Sequence, residues 1–339
     1  MRSLKIGTRE SELAVWQATQ VQTFLKQQDI AAELVFITSD GDTDLVTPLY
    51  EIGVQGIFTK TLDTALLNKR IDIAVHSMKD VPTKMPEGIR QAAVLKRGSY
   101  KDILVLHPDL SEQKARVIVK YISFMHNAKG KQTEWTLPLR EHPDKPGEPE
   151  DVVIATSSIR RIAQWLNKYS HHKIVNLRGN VNTRLRKLKE SNWHGAIFAA
   201  AGLERLNLRP VKSIELDWML PAPAQGAIMV VCRKDDSISF EACQNFNDAD
   251  TALCTKVERD FLRKLLGGCS TPISALAMIR KDKITLKGNI CSVDGKELTS
   301  VEHSAAKEDS DQLGIDTANL LLKDTRAQNI MQSIKNEKS

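Results

Sequence analysis

The chain has 339 residues, of which 41% are hydrophobic and 27% are charged, a balance that indicates a globular protein and excludes global disorder. At roughly 150 residues per domain, this length predicts two to three domains. The longest charge-free apolar stretch, residues 196–203, is far too short to span a bilayer, so we expect no membrane insertion.

The charge, the cysteines and the first residues exclude further classes. Lys and Arg outnumber Asp and Glu by 48 to 42, and the net charge of +6 is spread along a chain with 5% aromatic residues, so no nucleic-acid partner is expected. The five cysteines are odd in number and form no CxxC pair, which argues against a disulfide framework and against a metal site. Residues 1–6 contain no apolar leader or lipidation motif, so we expect a cytoplasmic location.

Short β-rich runs alternate with amphipathic helical patterns over the first two thirds of the chain, which predicts α/β units around mainly parallel sheets. Ser11 is a suitable N-cap for the first helix, and a second helix is predicted over residues 58–68. The predicted core-facing stripe of the first helix is Leu13, Trp16, Val21, Phe24 and Leu25. The predicted strands span residues 4–7, 33–38, 71–75, 103–106, 152–155, 173–176, 196–199 and 227–232.

From about residue 250 the pattern becomes that of a small α+β domain. A helix over residues 251–266 ends at Gly267-Gly268, and two strands and a further helix are predicted over residues 272–279, 284–292 and 310–323. Residues 107–150 hold five of the twelve prolines and balanced charges, which predicts a surface insertion. Its middle, residues 113–125, fits either a helix or a strand.

Four predicted strands are followed directly by polar segments, at the sheet edge where ligands of open α/β sheets bind. These segments are Thr8-Arg9-Glu10-Ser11, His76-Ser77-Met78-Lys79-Asp80-Val81-Pro82, Thr156-Ser157-Ser158-Ile159-Arg160-Arg161 and Leu177-Arg178-Gly179-Asn180-Val181-Asn182-Thr183-Arg184. Three of them combine hydroxyls, a helix start and arginine, which suits a ligand with several carboxylates or phosphates. The alternative is simple N-capping with solvated arginines. Without a Walker A or GxGxxG motif, a nucleotide is the less expected anion.

Two further residues are candidates for chemistry. Asp80 is the acid in an otherwise cationic set, so it could stabilise a developing cation or carry a proton, or it could form a salt bridge to Lys79 or an arginine. Cys269 follows two glycines on a loop and is a candidate nucleophile or attachment point, the alternative being an incidental loop thiol. The other cysteines are expected in the core or at a strand end: Cys232, Cys243, Cys254 and Cys291.

Seven motifs follow one another along the chain. They are Gly7-Thr8-Arg9-Glu10-Ser11 with Trp16-Gln17-Ala18, Ala74-Val75-His76-Ser77-Met78-Lys79-Asp80-Val81-Pro82, Thr156-Ser157-Ser158-Ile159-Arg160-Arg161, Leu177-Arg178-Gly179-Asn180-Val181 with Thr183-Arg184, Ala200-Ala201-Gly202-Leu203 with Arg205, Ala224-Gln225-Gly226-Ala227, and Gly267-Gly268-Cys269 with Pro272-Ile273. In this combination and order they closely resemble the porphobilinogen deaminases, also called hydroxymethylbilane synthases. The resemblance covers nearly the whole chain except the insertion and the C-terminal tail.

The resemblance implies an α/β fold with two periplasmic-binding-protein-like doubly wound domains, residues 1–97 with 226–247 and residues 101–222, and a small α+β C-terminal domain, residues 250–339. It also implies a monomeric transferase of porphyrin and haem biosynthesis, whose small-molecule partner is porphobilinogen. Four porphobilinogen molecules are joined head to tail, each losing ammonia, to give hydroxymethylbilane. The primer is a dipyrromethane cofactor attached to Cys269 through a thioether.

The same resemblance implies roles for individual residues. Asp80 matches the catalytic carboxylate, which stabilises the cation left when ammonia is lost. The residues that match cofactor-binding positions are Lys79, Ser77, Thr156, Ser157, Ser158, Arg160, Arg161, Arg178 and Arg184. Those that match substrate-binding positions are Arg9, Ser11, Gln17 and Arg205.

Three positions depart from the family pattern. Asn182 stands where glycine is common, Gln55 where a basic residue is usual, and Thr61 where an acidic residue is common. A second interpretation is a non-catalytic two-lobed solute-binding or ligand-sensing protein, in which Asp80 and Cys269 would have no special task. A third, a basic nucleic-acid-binding protein, predicts binding that weakens steeply with salt.

Overall fold

The computed structural model describes residues 3–38, 59–124, 152–265 and 271–336, which form three separate sheets. The strands of the first sheet are β1 (Leu4–Thr8), β2 (Ala32–Phe36), β3 (Ile73–Ser77), β4 (Ile89–Val94) and β10 (Ile228–Arg233), in the order β2-β1-β3-β10-β4. Strand β10 is antiparallel to both of its neighbours, and β1 pairs in parallel with β2 and β3. Around it pack α1 (Glu12–Lys26), α2 (Lys60–Leu67) and α7 (Ser237–Gln244).

The second sheet repeats this arrangement with other segments. Its strands are β5 (Asp102–Leu106), β6 (Val153–Ala155), β7 (Lys173–Val175), β8 (Gly195–Ala199) and β9 (Ser213–Glu215), in the order β7-β6-β8-β5-β9, with β5 antiparallel to both neighbours. Its helices are α3 (Glu112–Phe124), α4 (Ile159–Lys168), α5 (Val181–Lys189) and α6 (Ala200–Arg205). Each sheet separates two apolar clusters, so both units are doubly wound, as the sequence predicts.

The third unit is an antiparallel sheet covered by helices. Strands β11 (Ile273–Arg280), β12 (Lys283–Cys291) and β13 (Leu298–Ala306) pair in sequence order. Helices α8 (Ala249–Lys264), α9 (Leu313–Leu321) and α10 (Thr325–Asn336) complete its core. This confirms the predicted α+β domain. No helix within the described ranges is long and apolar enough to cross a membrane.

Two expectations about packing are wrong. Residues 113–125 begin as helix α3, whose Ile118 and Ile122 are buried beside Trp165 in the core of the second unit, so the first part of residues 107–150 is not a surface insertion. The rest of it, residues 125–150, lies outside the described residues. On α1, Val21 and Leu25 are buried as predicted, whereas Leu13 faces the cavity between the two α/β units.

Three further strands, β4, β9 and β13, are not predicted from the sequence, each for a local reason. Strand β4 reads Ile-Arg-Gln-Ala-Ala-Val, without strict alternation of apolar and polar residues. Strand β9 has three residues at a sheet edge, and β13 is an edge strand with mostly polar side chains.

The chain crosses twice between the two α/β units, through residues 95–101 and 216–227. These crossover segments run side by side, and the Gly98 amide donates to the Gly226 carbonyl at 3.1 Å. Gly226 has a φ of +87°, and a Cβ there would approach the Ser99 carbonyl oxygen to 2.6 Å. Glycine is therefore required at the joint that sets how the two units face each other.

Candidate active-site cleft

A cavity of about 540 Å³ opens between the two α/β units, with the third unit at one end. It collects most of the residues singled out in the sequence: Arg9, Ser11, Ser77, Lys79, Asp80, Ser157, Ser158, Arg160, Arg161, Arg178, Arg184 and Arg205. Seven of these side chains are cationic, and among the described residues the carboxylates that line the cavity are those of Glu10 and Asp80. The cleft is therefore strongly positive.

Two predicted residues lie one layer behind the cavity wall. The Gln17 amide donates to the Ser77 hydroxyl at 2.9 Å, and the Thr156 hydroxyl accepts from the Ser158 amide at 3.3 Å. They position lining residues rather than face the cavity. Cys269 lies outside the described residues, but Leu262 before it and Thr271 after it both line the cavity.

The helix starts at the cavity differ in how they are capped. Ser11 and Ser158 occupy the N-cap positions of α1 and α4, yet neither side chain makes a capping hydrogen bond. In α5, Asn180 accepts from the Thr183 amide at 2.9 Å. Because the first turn of a helix carries unsatisfied amides and a partial positive charge, the uncapped starts of α1 and α4 favour a bound anion.

Arg160 and Arg161 are buried and share one carboxylate that the sequence analysis missed. Arg161 donates to Asp102 Oδ1 through Nε at 3.0 Å and Nη2 at 2.8 Å, while Arg160 Nη1 lies 2.7 Å from Asp102 Oδ2. Burial opposes ionisation of Asp102, but the two guanidinium charges outweigh it and lower the pKa of Asp102 to about 2. The carboxylate therefore stays charged and orients both arginines, which are not solvated surface residues.

Gln225 completes this buried network from the second crossover segment. Its amide donates to Asp102 Oδ1 at 3.0 Å and to the Tyr100 carbonyl at 2.8 Å. The only sequence signal for Asp102 was an acidic residue at the start of a predicted strand, which does not indicate a partner 59 residues away.

Backbone carbonyls hold two further cavity arginines, Arg184 and Arg205. Arg184 Nε donates to the Gly179 carbonyl at 2.7 Å, and Arg205 Nη2 donates to the Gly226 carbonyl at 2.6 Å with its guanidinium 5.6 Å from the centre of the Trp16 ring. Burial lowers the pKa of each of these two arginines to about 10. A cation whose pKa is lowered by burial gains from an incoming anion, so these groups favour a carboxylate-rich ligand.

Lys79 and Asp80 lie on a 3-10 turn, Met78–Asp80, that follows β3. Burial lowers the pKa of Lys79 to about 8, and the charge of Arg161 adds to this while the charge of Asp80 partly offsets it. Asp80 makes no ion pair or hydrogen bond through its side chain with any residue in the described part of the chain. The alternative in which Asp80 is one half of a salt bridge is therefore not observed.

His76 is buried, and Ser157 joins two segments of the cleft wall. Burial lowers the pKa of His76 to about 3, so this imidazole is neutral. The Ser157 hydroxyl donates to the Leu177 carbonyl at 2.5 Å and accepts from the Leu177 amide at 2.9 Å, which ties two loops of the cleft together.

The departures from the family pattern fall in different places. The Asn182 side chain donates to Glu12 Oε2 at 2.7 Å and so links α5 of the second unit to α1 of the first. Thr61 is half-buried in α2, and Gln55 lies outside the described residues.

The four described cysteines are all buried. Burial raises the pKa of Cys254 to about 11 and the pKa of Cys243 and of Cys291 to about 12, and it also raises the pKa of Cys232. These thiols are protonated at neutral pH and are poor nucleophiles, which agrees with the core positions predicted for them.

The donor set fits a ligand with several carboxylates. Besides the excess of cations, the buried Nε of Arg160, a cavity-lining residue, has no hydrogen-bond partner. Fold and site together define a two-lobed α/β protein whose cleft has the charge and the donors that a polyanionic ligand requires.

Comparison with known proteins identifies the family. Residues 4–241 match the family model "Porphobilinogen deaminase, dipyromethane cofactor binding domain", and residues 252–323 match "Porphobilinogen deaminase, C-terminal domain". The chain belongs to the porphobilinogen deaminase family. This confirms both the resemblance found in the sequence and the dipyrromethane cofactor that it implied.

Relatives named porphobilinogen deaminase align over almost the whole chain. The relative from Trichlorobacter lovleyi is 38% identical over 325 residues, which cover 95% of this chain and 93% of the relative. The relative from Acidithiobacillus ferrooxidans is 37% identical over 339 residues, covering 98% and 99%. Among solved structures, the methionine binding protein MetQ matches at 13% identity and a TM-score of 0.41, covering 74% of this chain and 91% of that chain.

Proposed function

We propose that this chain is a hydroxymethylbilane synthase, a transferase that forms carbon–carbon bonds between four porphobilinogen molecules and releases ammonia from each. The observation that carries the proposal is Asp80, a carboxylate without an ion-pair partner among the described residues, in a cavity lined by seven cations. A structural carboxylate in such surroundings would be expected to form a salt bridge, whereas a cation-stabilising one must stay available.

The cations account for binding. Each porphobilinogen carries an acetate and a propionate, so a growing chain brings several carboxylates into the cleft. The proposed cofactor-binding residues are Lys79, Ser77, Thr156, Ser157, Ser158, Arg160, Arg161, Arg178 and Arg184, and the proposed substrate-binding residues are Arg9, Ser11, Gln17 and Arg205. Thr156 and Gln17 act through the serines that they contact.

Asp80 accounts for the chemistry. When ammonia leaves the aminomethyl carbon of porphobilinogen, the C–N bond breaks and the pyrrole carries a positive charge. A carboxylate near the pyrrole N–H stabilises that cation until the free α-carbon of the preceding ring forms the new C–C bond and loses its proton. The dipyrromethane cofactor, when bound, supplies the first such ring. Lys79, whose pKa is about 8, is protonated at neutral pH and holds carboxylates beside this position.

Cys269 is the proposed attachment point for the cofactor. Thr271 lines the cavity two residues further on, and two residues of extended chain reach about 7 Å, so a thioether at Cys269 is within reach of the cleft. The described cysteines are buried with raised pKa values, which makes them poor alternatives.

The intact mass of the purified protein tests the proposal. We expect a surplus of one dipyrromethane unit, and Cys269→Ser should lose most of this surplus and the activity with porphobilinogen, because an alcohol is a far poorer nucleophile than a thiolate. Cys254→Ala is the matched control and should keep the adduct. An unmodified mass in active protein, or an adduct on a different cysteine, would contradict the mechanism.

All three units of one chain contribute to the cavity, which supports a monomer as the active species. The proposed domains are residues 1–97 with 226–247, residues 101–222 and residues 250–339. A cytoplasmic location remains part of the proposal. Size-exclusion chromatography of the active protein tests the monomer, and an activity that appears only at the elution volume of a dimer would contradict it.

A further inference from the structure

An arginine of the third unit binds the turn that carries Asp80. Arg259, on helix α8, donates through Nη1 to the Val81 carbonyl at 2.8 Å and to the Met78 carbonyl at 3.4 Å, and through Nη2 to the Pro82 carbonyl at 2.6 Å. The arginine is buried, with 8% of its surface exposed. One side chain therefore fixes the backbone on both sides of Asp80.

Besides Arg259, the buried side chains of Met78 and Val81 and two backbone hydrogen bonds hold the turn. Within it, the Val81 amide donates to the Met78 carbonyl at 3.2 Å, and at its start the Met78 amide donates to the Ala227 carbonyl at 3.0 Å. The Asp80 side chain makes no hydrogen bond or ion pair with another described residue. Its direction is thus set by the path of the backbone, and Arg259 binds that backbone at three carbonyls.

The helix that presents Arg259 is itself anchored to both α/β units. Glu258, the preceding residue, is fully buried and accepts from Arg97 through Nη1 at 2.6 Å and Nη2 at 3.1 Å. It also accepts from the amides of Ala224 at 2.6 Å and Ala277 at 2.8 Å. Arg97 and Ala224 belong to the two crossover segments, so the position of Arg259 is fixed relative to the whole cleft.

The same helix leads towards the segment that contains Cys269. From Arg259 to Leu265 is six residues, which corresponds to about 9 Å along a helix, and Leu262 between them lines the cavity. Residues 266–270 follow directly in the sequence. One short stretch of α8 therefore holds the Asp80 turn through Arg259 and leads directly into the segment that contains Cys269.

We propose that Arg259 is a positioning residue for the reaction: by binding the carbonyls of Met78, Val81 and Pro82 it holds Asp80 at the distance from the third unit that bond formation requires. This proposal rests on the proposed function of Asp80. Arg259 reaches the chemistry through the turn and does not need to touch substrate.

A double-mutant cycle with Asp80 tests the proposal. Arg259→Met should lower kcat for porphobilinogen between about 10-fold and 100-fold with KM changed less than about threefold, since positioning is expressed in the transition state. In the Asp80→Asn background the same change should cost less than about twofold, because there is no longer a carboxylate to position. Rates are taken per molecule that carries the adduct, measured by intact mass.

Conservative and control variants separate positioning from general stability. Arg259→Lys keeps the charge but cannot span three carbonyls, so its kcat should lie between those of the wild type and Arg259→Met. Arg263→Met, one turn further along α8, removes an exposed arginine that pairs with Asp260 and should leave kcat within about twofold.

Hydrogen exchange gives a readout that does not depend on activity. The peptide over residues 76–84 should exchange about tenfold faster in Arg259→Met than in the wild type or in Arg263→Met. Unchanged exchange there, or a kcat close to that of the wild type, overturns the proposal. If Arg259→Met does not fold, the cycle is run with Arg259→Lys. A lower kcat and faster exchange over residues 76–84 than in the wild type, with the loss of kcat absent in the Asp80→Asn background, then support the proposal, and wild-type values overturn it.

The cycle also distinguishes failure of the two proposals. If Asp80→Asn alone keeps wild-type turnover, the role of Asp80 is wrong and the role of Arg259 falls with it. If Asp80→Asn is slow and Arg259→Met lowers kcat by the same factor in the Asp80→Asn background as in the wild type, only the positioning role is overturned.

Discussion

The two α/β units share one strand order but bring different chemistry to the cleft. The first unit contributes Asp80, Lys79 and Arg9, whereas the second contributes Arg160, Arg161, Arg178, Arg184 and Arg205. The same scaffold thus presents a carboxylate from one side and a row of guanidinium groups from the other. The fold determines where a ligand lies, and the loop residues after each strand determine what is done to it.

The two sides also differ in how their charges are held. Arg160 and Arg161 are locked by the buried carboxylate of Asp102, so their geometry is set before a ligand arrives. Asp80 has no such partner among the described residues, and its position depends on its backbone. A carboxylate neutralised by a salt bridge would lose much of its field at the reacting pyrrole, whereas an arginine that already shares a carboxylate keeps N–H groups for a second one.

Removing the carboxylate from the first unit should give the largest effect. Asp80→Asn should lower kcat at least about 100-fold while folding and the dipyrromethane adduct are largely kept, because one electrostatic stabiliser is lost without a change of shape. Steady-state kinetics with porphobilinogen and intact mass measure both quantities. Glu87→Gln, an exposed acid of the same unit, is the control and should leave kcat unchanged. Turnover near that of the wild type in Asp80→Asn would show that the carboxylate of the first unit has no catalytic role, so the two units would not differ in this respect.

The arginines of the second unit should divide into two kinds. Arg161→Leu deprives the buried Asp102 of two hydrogen bonds and should lower the free energy of unfolding by about 3 kcal/mol. Arg184→Leu removes a cation that burial already disfavours and that has no ion pair within the described residues, so stability should be unchanged or higher. Both should reduce the fraction of protein that carries the adduct.

Urea denaturation and intact mass measure these two effects. Equal destabilisation by Arg161→Leu and Arg184→Leu would show that the Asp102 network does not distinguish the two arginines. A full adduct in both variants would show that neither binds the cofactor.

Lys79 should make kcat/KM for porphobilinogen depend on pH. Since its pKa is lowered to about 8, its charge is present below pH 8 and lost above it, and kcat/KM should fall about tenfold through an ionisation near pH 8. Lys79→Met should be slower and should lack this ionisation. A pH profile of the same shape in both proteins would assign the ionisation to another group.

The same shift predicts a change in stability. At pH 7 the folded state bears a buried ammonium, so Lys79→Met should melt a few degrees higher than the wild type. Between pH 8 and the ordinary lysine pKa the unfolded chain binds more protons than the folded one, so the wild type gains stability as pH rises and the advantage of Lys79→Met shrinks. A difference in melting temperature that grows over this range would contradict the sign.

The smallest effect is expected at the exposed hydrogen bond between Asn182 of the second unit and Glu12 of the first. Asn182→Ala removes the hydrogen bond to Glu12 and should change KM for porphobilinogen by no more than about twofold, because exposed polar contacts contribute little. Glu12→Ala should give the same change, and the double variant should give no more. A much larger effect would mean that this contact controls opening of the cleft.

Much of the fold was determined by the sequence itself. The sequence predicts strands β1, β3 and β8 within two residues and the start of helix α1 at Ser11, because apolar periodicity and helix starts are recorded in neighbouring residues. The polar segments after the strands, with Arg9, Asp80 and Arg184, were found for the same reason, and their order along the chain identified the family. The periodicity of the α3 segment fits both a helix and a strand, so the sequence does not distinguish them. In the structure the segment is a helix that packs against Trp165.

Only the tertiary structure decided how the charges are distributed. Asp102 meets Arg161 across 59 residues and Arg259 meets Val81 across 178, and neither pairing leaves a pattern in the local sequence. The lowered pKa values of Lys79 and Asp102 likewise depend on burial and on charges from distant segments. Apolar periodicity and helix starts are properties of neighbours in the chain, whereas desolvation and Coulomb interaction act through space, so they exist only once the chain has folded.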